Sequence, residues 1–395
     1  MALATRGALR PQYDCVIVGA GPAGLNAGRR LLELAPAATC LIVDKGTPWE
    51  HSKPCAEAVG RLGFAEAVPI EQSWVRHRIN GATFHAPSGA SITYHNPDSG
   101  FIISRAAMQR SLAELCVQRG VDCVAEHRVS AVSRLSDSRR SVRLDDGRTV
   151  DARVVIDAAG VSSPFGKRES VQWKAYDAEP AYFAIADNVE HAPDLVHLYL
   201  GKAVAPGGYA WMFPSAGDSV NIGLLVGTGF RGSVNIRQLL ADFFQKYFPD
   251  ARIRRYWAGT IACGYRRGTI AVPGLVKAGD AANTTNPMSR AGIVEAMKSG
   301  LLAAECVAGM LGASTSKEMT RLCTRYERAW YQQLGRRHQR LAETKDSLQR
   351  VPDEDFDIAA DALGAVPPSK LTMSRIFRTA LRRFPRLVWA MRRLM

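Results

Sequence analysis

Three glycines near the start of the chain have the spacing of a loop that binds a dinucleotide. Gly19, Gly21 and Gly24 follow an apolar strand pattern at residues 15–18 and open a helical pattern. Gly19 allows a tight turn, Gly21 lets the backbone approach a pyrophosphate, and Gly24 lets the helix pack close to the strand. The helix N-terminus then offers free N–H groups and its positive dipole end to the phosphates. The sequence therefore predicts a dinucleotide-binding unit.

An acidic residue indicates what lies beside the phosphates. Asp44 ends a second apolar strand pattern about 20 residues after the glycines. A carboxylate there accepts hydrogen bonds from a ribose diol and disfavours a 2′-phosphate, so NAD or FAD is preferred over NADP. The alternative is a glycine-rich turn in some other α/β protein.

Length and composition limit the class of protein. A chain of 395 residues with 47% hydrophobic and 22% charged residues can bury a large core in two or three joined domains. No apolar run reaches the ~18 residues that span a bilayer, and the N-terminus lacks a signal-peptide core. We therefore expect a cytoplasmic protein. The eight cysteines form no CxxC pair and the histidines have no metal-ligand spacing, so we expect reduced thiols and no metal site.

The net charge of +14 is concentrated at the C-terminus. Residues 370–395 hold eight Lys or Arg and no Asp or Glu, interspersed with large apolar side chains including Phe384 and Trp389. This pattern is typical of a basic amphipathic helix at an anionic membrane surface. A helix docked on its own protein is the main alternative. Nucleic-acid binding is disfavoured because no nucleic-acid-binding module accompanies the charge.

Further along the chain, the patterns indicate a divided α/β fold. We predict a helix at 105–119 with Ser104 as N-cap, short strands at 129–155, a β-rich stretch at about 170–265 with a helix at 236–247, and a helix at about 292–311. The rest is helical apart from a linker at 351–368. The predicted fold class is α/β (mixed α+β): a split Rossmann-like domain, an inserted antiparallel β-sheet domain and a C-terminal helical region. The boundaries are 13–50, 104–165 and 270–312 for the first, 51–103 and 166–269 for the second, and 313–395 for the third.

Two segments give the dinucleotide fold a family resemblance. AGDAANTTNPMSRAGIVEAMKSG resembles the second FAD fingerprint of the p-hydroxybenzoate hydroxylase-like flavoproteins, and Arg105 matches an arginine that they place near the FAD pyrophosphate. The resemblance implies that Asp280 bonds the ribityl chain and that the N–H groups around Gly292 and Ile293 face the flavin. The FAD-binding residues that it implies, together with the first loop, are Gly19, Gly21, Pro22, Ala23, Gly24, Asp44, Lys45, Arg105, Gly279, Asp280, Gly292 and Ile293.

Two further motifs are similar to those of the geranylgeranyl reductases. KPCAEAVG, residues 53–60, resembles the motif that places a cysteine beside the isoalloxazine, and PGGYAWMFP, residues 206–214, resembles the YxWxFP strand that lines a lipid tunnel. The chain departs from the family at Ala159, where an Asp is common, and at Arg290 and Ala291, where small residues, mostly Gly, are usual. An Arg290 that points inward would stabilise a reduced flavin by its charge; the alternative is an Arg290 that points to solvent.

The resemblance implies FAD-dependent reduction of a C=C bond in an isoprenoid chain on a lipid, quinone or pigment. This reaction needs a hydride from reduced flavin and a proton for the carbon that becomes cationic. Cys55 and Tyr209 are the candidate proton donors, since a thiol and a phenol are protonated at neutral pH. Trp211 and Phe213, on the same strand face as Tyr209, would bind the chain. The alternatives are packing roles for Cys55 and for the aromatic residues.

The partners and the alternative function also follow from this resemblance. The electron donor is NADPH or a ferredoxin, and the membrane is contacted through residues 370–395. The second hypothesis is an FAD-dependent monooxygenase or halogenase of a secondary pathway, because YAWMFP partly echoes the WxWxIP motif of flavin halogenases. The third is a flavoprotein that carries electrons without being an enzyme.

Overall fold

Two sheets form the framework of the protein in the computed structural model, which describes residues 9–50, 55–136, 139–172, 175–364, 366 and 371. The strands are β1 (Gln12–Val18), β2 (Cys40–Val43), β3 (Ala58–Gly60), β4 (Val75–His85), β5 (Ser91–Ile103), β6 (Asp122–Val124), β7 (Val129–Ser136), β8 (Arg139–Leu144), β9 (Thr149–Asp157), β10 (Ala178–Asp187), β11 (Leu195–Tyr199), β12 (Tyr209–Pro214), β13 (Val220–Leu225), β14 (Arg252–Ala262), β15 (Ala271–Val272) and β16 (Leu275–Lys277).

Helices connect and cover these sheets. They are α1 (Pro22–Leu34), α2 (Arg61–Ala67), α3 (Arg105–Gln118), α4 (Ile236–Tyr247), α5 (Ile293–Gly312), α6 (Ser316–Trp330), α7 (Arg336–Leu348) and α8 (Asp353–Gly364). Short 3-10 turns occur at Gln72–Trp74, Lys167–Glu169, Thr228–Phe230 and Gly279–Ala282, and Tyr331–Gly335 is a π-helix. Among the described residues, none of the helices has the length and apolar character needed to cross a bilayer.

The first sheet holds the dinucleotide-type unit. Its order is β15-β16-β9-β1-β2-β6, with β7 and β8 added beside β9. The pairs β1/β2, β1/β9, β2/β6 and β9/β16 are parallel, so residues 15–18 of β1 and all of β2 are apolar on both faces and buried. Helices α1, α3, α5 and α6 supply the other side of the largest core cluster. Gly300 lets α5 approach α1, because a methyl group there would overlap the Ala23 carbonyl oxygen.

The second sheet is built mainly from the two inserted stretches of chain. Its order is β14-β10-β13-β12-β11-β4-β5-β3, and its pairs are antiparallel except for β11/β4. Helix α4 covers one face, with Leu240, Phe243 and Phe244 buried against Ala210 and Met212. The other face carries Trp211 and Phe183. The predicted fold class, a split α/β domain with an inserted β-sheet and a helical C-terminal region, is confirmed; the exact domain boundaries stay a prediction.

Individual elements agree with the sequence prediction, with one correction. Ser104 caps α3 by accepting a hydrogen bond from the Ala107 N–H at 3.3 Å. The predicted linker at 351–368 is wrong, because residues 353–364 form α8. Its acidic first turn complements the positive end of the helix dipole, and a proline just before the first turn is compatible with a helix start. The predicted membrane-surface segment, residues 370–395, lies outside the described residues except for Leu371.

Candidate functional site

The glycine loop between β1 and α1 has the shape of a pyrophosphate cradle. Gly19 has φ +104°, and a methyl group there would overlap the Ala158 carbonyl oxygen. A methyl group on Gly24 would overlap the Gly19 carbonyl oxygen, so both positions require glycine. Gly21 is the N-cap of α1 without a side-chain cap, and the space beside its Cα is open. The first N–H groups of α1 therefore face an open concave surface, which suits an anion.

Asp44 fixes this loop from the end of β2. The residue is 5% exposed, its Oδ2 accepts a hydrogen bond from the Ala20 N–H at 2.8 Å, and its Oδ1 accepts one from the Gly46 N–H at 2.9 Å. A carboxylate oxygen has two acceptor positions, so a ribose hydroxyl can still bond to it. Its neighbour Lys45 is exposed.

The second FAD-type segment lies against the first. Gly279 has φ +62°, and a methyl group there would lie 3.0 Å from the Ala23 Cβ at the start of α1. Asp280 accepts a hydrogen bond from Thr285 Oγ1 at 2.8 Å. Gly292 is the N-cap of α5 and has no side-chain cap, and a methyl group on it would come within 3.6 Å of Asp280 Oδ1. The start of α5 thus presents backbone N–H groups beside Asp280, with Ile293 buried behind them.

Arg105 lies at the start of α3 and is half-buried. Its Nε donates to Gln109 Oε1 at 2.7 Å, and the Gln109 amide donates to the Pro48 carbonyl oxygen at 2.6 Å. These contacts hold the guanidinium beside the loop that follows β2. The role of Arg105 near the FAD pyrophosphate stays a prediction.

Glu57 connects the Cys55 segment to this arginine. Its Oε1 accepts a hydrogen bond from the Arg105 N–H at 2.8 Å, and its Oε2 pairs with Arg76 Nη1 at 2.7 Å. Burial raises the pKa of the Glu57 carboxyl, and the Arg76 charge opposes that rise. Glu57 has φ +60°, a strained backbone for a residue other than glycine, and strain of this kind is found at functional sites.

Asn221 joins Cys55 to the aromatic strand. Its Nδ2 donates to the Cys55 carbonyl oxygen at 3.1 Å, and its Oδ1 accepts a hydrogen bond from Trp211 Nε1 at 2.8 Å. Asn221 is 3% exposed; its bond to Trp211 is buried and its bond to Cys55 is part-buried. Cys55 itself is half-buried, and its Sγ accepts a hydrogen bond from the Glu57 N–H at 3.3 Å. Cys55 therefore lies beside the YAWMFP strand, so the KPCAEAVG and PGGYAWMFP motifs are neighbours in the fold.

Tyr209, Trp211 and Phe213 lie along one face of β12. Their ring centroids are 6.3 Å and 6.4 Å apart in order, and Trp211 also packs against Phe183 at 6.0 Å. The predicted alternation is confirmed. Tyr209 also reaches the flavin-type segment, because its hydroxyl donates to the Ser289 carbonyl oxygen at 2.6 Å. Burial raises the pKa of Tyr209 to about 12, which keeps the phenol protonated at neutral pH.

Arg290 points into the protein, so the alternative of a solvent-facing side chain is wrong. Its side chain is 6% exposed and pairs with Glu179, whose side chain is fully buried. Nη1 donates to the Met288 carbonyl oxygen at 2.7 Å, and the guanidinium lies 5.4 Å from the Tyr209 ring centroid. Its charge is thus directed at Glu179, which weakens the hypothesis that it stabilises the reduced flavin.

Lys345 completes this buried charge cluster from α7. Its Nζ pairs with Asp177 and lies 3.3 Å from Glu179 Oε1 and 3.1 Å from the Cys263 carbonyl oxygen. The carboxylates of Asp177 and Glu179 and the Cys263 thiol bring potential metal ligands within 4.8 Å of one another. The lysine ammonium already lies among them and supplies the positive charge that they need. The two negative charges of Asp177 and Glu179 therefore cancel the two positive charges of Arg290 and Lys345 within the cluster.

The assembled groups fit FAD. The open cradle at Gly21 suits a pyrophosphate, Asp44 suits the ribose hydroxyl groups, Asp280 suits those of the ribityl chain, and the uncapped start of α5 suits an electron-rich ring edge. The two predicted halves of the cofactor site meet where Gly279 contacts Ala23. The structure therefore brings the predicted residues together in one continuous region.

Several residues of this region were missed by the sequence analysis. Asn221 is an amide in the middle of the apolar strand VNIGLL, and that break in the pattern is a sequence feature that could have marked it. Glu57 stands in the CAE motif but received no role. Glu179 and Lys345 are 166 residues apart, and no local pattern connects them.

Two family models match parts of this protein. The model of the geranylgeranyl reductase catalytic domain matches residues 177–261, and that of the lycopene cyclase protein matches residues 14–194. The first covers the strands that carry Glu179, Trp211 and Asn221. The second covers the glycine loop and the Cys55 segment.

Curated relatives match almost the whole chain. Digeranylgeranylglycerophospholipid reductase 1 of Methanococcoides burtonii is 27% identical over 394 residues, covering 97% of this chain and 95% of its own. The digeranylgeranylglycerophospholipid reductase of Methanothrix thermoacetophila is 28% identical over 393 residues, covering 96% and 99%.

Solved structures share the fold. A geranylgeranyl bacteriochlorophyll reductase-like protein from Thermoplasma acidophilum superposes with a TM-score of 0.87 at 22% identity, covering 97% of this chain and 99% of that one. A flavin-dependent brominase reaches a TM-score of 0.68 at 18% identity, covering 95% and 100%. The structure of the brominase is therefore less similar to this protein than that of the reductase-like protein is.

Proposed function

We propose that this protein, which is similar to the geranylgeranyl reductases, is a flavin-dependent oxidoreductase that uses FAD to hydrogenate C=C bonds of an isoprenoid chain. This isoprenoid chain is part of a lipid, a quinone or a pigment. The names of the curated relatives favour a lipid with geranylgeranyl chains. The alternative is an FAD-dependent monooxygenase or halogenase. It has weaker support, because a flavin-dependent brominase shares the fold less closely.

One observation carries the proposal: three segments predicted to act together are joined by hydrogen bonds. Asn221 ties the Cys55 backbone to Trp211, and Tyr209 ties the same strand to Ser289, just before α5. Cys55, the aromatic wall and the segment that would face the flavin therefore border one region. Such a region can hold an apolar chain against a flavin ring and keep water away from it.

Each group of residues would have its own role in binding or in proton transfer. The loop at Gly19–Gly24, Asp44, Lys45 and Arg105 hold the adenosine and pyrophosphate part of FAD, and Gly279, Asp280, Gly292 and Ile293 hold the flavin part. FAD, once reduced, supplies the hydride. Trp211 and Phe213 bind the prenyl chain. Tyr209 or Cys55 holds the proton that goes to the second carbon, so that hydride and proton together add two hydrogens to the double bond.

The electron donor and the location are part of the same proposal. We infer that NADPH or a ferredoxin reduces the flavin, and that the basic residues 370–395 hold the enzyme on an anionic membrane surface where a prenyl lipid is presented. We also infer that the boundaries 13–50, 104–165 and 270–312 delimit the FAD-binding domain. Removal of the chain after Lys370 should lower binding to anionic liposomes in a sedimentation assay; unchanged binding would reject the membrane role.

Anaerobic reduction separates the candidate functions. The FAD-loaded protein is photoreduced without oxygen, and a geranylgeranyl lipid is added while the flavin spectrum is followed. Reoxidation of the flavin with a mass gain of two hydrogens in the lipid supports the reductase. Reoxidation only by O₂, with oxygen or halogen incorporated into an added aromatic compound, supports the alternative. A purified protein that binds no flavin contradicts both.

A further inference from the structure

A cavity lies outside the residues to which we assign FAD or prenyl contacts. It occupies about 160 Å³ where the segment after β14, the Gly279–Ala282 turn and the end of α6 meet. Its walls include Tyr265 to Gly268, Asn283, and residues of α6 and the following π-helix as far as Tyr331. A π-helix inside a helical segment frequently marks a functional site. The cavity thus adjoins three parts of the chain that are distant in sequence.

Three arginines give this cavity a positive charge. Arg266, Arg267 and Arg328 line it, and no described carboxylate forms an ion pair with any of them. Arg267 stacks on the Tyr331 ring, with its guanidinium carbon 4.2 Å from the ring centroid, so an aromatic face positions this cation. A guanidinium group that is held in this way, as that of Arg267 is, is suited to bidentate bonds with phosphate.

The single acidic residue in the lining is already bound to backbone. Glu327 Oε1 accepts hydrogen bonds from the Ile270 N–H at 2.8 Å and the Ala271 N–H at 3.3 Å. These bonds hold its carboxylate against the β15 strand. An anion that enters the cavity therefore meets a net positive lining.

A buried amide lacks partners at the inner wall. Asn283 is 4% exposed, and within the described part of the chain neither its Nδ2 nor its Oδ1 has a hydrogen-bond partner. Leaving a buried amide unpaired is costly, so such groups normally find a partner. Asn283 offers a donor and an acceptor, and it therefore suits a ligand with an acceptor oxygen and a hydroxyl group.

We infer that this cavity binds a phosphorylated hydroxy compound, with its phosphate on the three arginines and a hydroxyl on Asn283. The inference rests on the proposed function, which names NADPH and a prenyl lipid as partners, and a binding titration tests it separately from the reaction. Two sources share this chemistry: the ribose phosphate of a nucleotide and the glycerol phosphate of a lipid headgroup. Either source fits a cavity of this size, which is too small for a whole prenyl chain.

Calorimetric titration of the full-length, FAD-loaded protein tests the inference, because bound FAD blocks the pyrophosphate cradle. The probes are 2′,5′-ADP, sn-glycerol 1-phosphate and inorganic phosphate. The variants are Arg267→Gln and Asn283→Gly. Glycine is chosen at position 283 because it adopts the φ of +52° found there without strain. Arg325→Gln, an exposed arginine of α6 that does not line the cavity, is the matched control.

We expect saturable binding of one hydroxyl-bearing probe, tighter than that of inorganic phosphate. Arg267→Gln should weaken it about tenfold or more, because hydrogen bonds between charged groups are stronger than those between neutral groups. Asn283→Gly should remove the preference over inorganic phosphate, and Arg325→Gln should change neither. Tighter binding of 2′,5′-ADP identifies a nucleotide, and tighter binding of glycerol phosphate a lipid headgroup. Absence of saturable binding, or equal binding by wild type and Arg267→Gln, overturns the inference.

Discussion

The Arg290 guanidinium and the Glu179 carboxylate form a buried two-point ion pair, with Nε 2.9 Å from Oε2 and Nη2 3.2 Å from Oε1. The pair joins the segment before α5 to strand β10 of the inserted sheet. Arg290 has φ +57°, a conformation that glycine adopts without strain. The pair therefore holds in place a segment whose backbone is strained for arginine, next to the hydroxyl contact of Tyr209.

Glu179→Gln should destabilise the protein strongly. The change leaves the buried cations of Arg290 and Lys345 with one carboxylate between them, and breaking a buried pair in this way costs about 3–5 kcal/mol. Urea unfolding followed by circular dichroism measures the loss. Glu190→Gln, an exposed glutamate beyond the end of the same strand, is the control and should have little effect. Equal stability of the two variants would show that the cluster contributes nothing.

Arg290→Gly combined with Glu179→Gln should leave the reduction potential of bound FAD unchanged. The two changes remove a cation together with the carboxylate that it pairs with, so the net charge near the flavin stays the same. The potential is measured by photoreduction against a reference dye. Arg290→Lys is the matched control, because it keeps the charge and loses the two-point geometry. A clear negative shift in the double variant but not in the lysine variant would restore the hypothesis that Arg290 stabilises the reduced flavin.

Asn221→Leu should slow alkene reduction while FAD still binds. The change frees the Cys55 backbone from Trp211 and leaves the buried indole N–H without its partner. A displacement of reacting groups by about 1 Å can lower a rate by about 100-fold, and we expect a decrease of at least tenfold. Single-turnover flavin reoxidation by the lipid measures the rate, and fluorescence quenching measures FAD affinity. Gln238→Leu, an exposed amide on α4, is the control. A parallel loss of FAD affinity would argue for a structural role of Asn221 instead.

Tyr209→Phe should lower the rate of alkene reduction if the phenol supplies the proton. With its pKa raised to about 12 by burial, the phenol keeps its proton through neutral and mildly alkaline pH, so the wild-type rate should stay constant up to about pH 10. Stopped-flow reoxidation across this range measures the profile. Tyr256→Phe, 46% exposed on β14, should behave like wild type.

The variants Tyr209→Phe and Cys55→Ser distinguish the candidate donors. A rate of Tyr209→Phe close to that of the wild type would contradict the assignment to Tyr209 and favour the thiol of Cys55. In that case Cys55→Ser should show the larger loss of rate, and Tyr209→Phe should retain most of the activity.

Much of the framework could be predicted because it is encoded by neighbouring residues. The spacing of Gly19, Gly21 and Gly24 determined the first loop, since only glycine fits two of those positions without overlap. A serine before an apolar helical pattern determined the start of α3. The alternation of YAWMFP determined that three aromatic rings share one face, because side chains in a strand alternate between its faces.

The tertiary structure decided the contacts between distant segments. Residues 353–364 have the composition of a linker, but they form α8, where Asp353 accepts hydrogen bonds from the Lys202 N–H and Asp357 accepts one from the Ser88 N–H. The direction of Arg290, the bridge formed by Asn221 and the place of Lys345 could not be read from their neighbours in sequence. Each depends on sheet register and helix packing, which bring groups more than 100 residues apart to hydrogen-bond distance. Local patterns fix which face a side chain occupies, and only the packed fold fixes what it meets there.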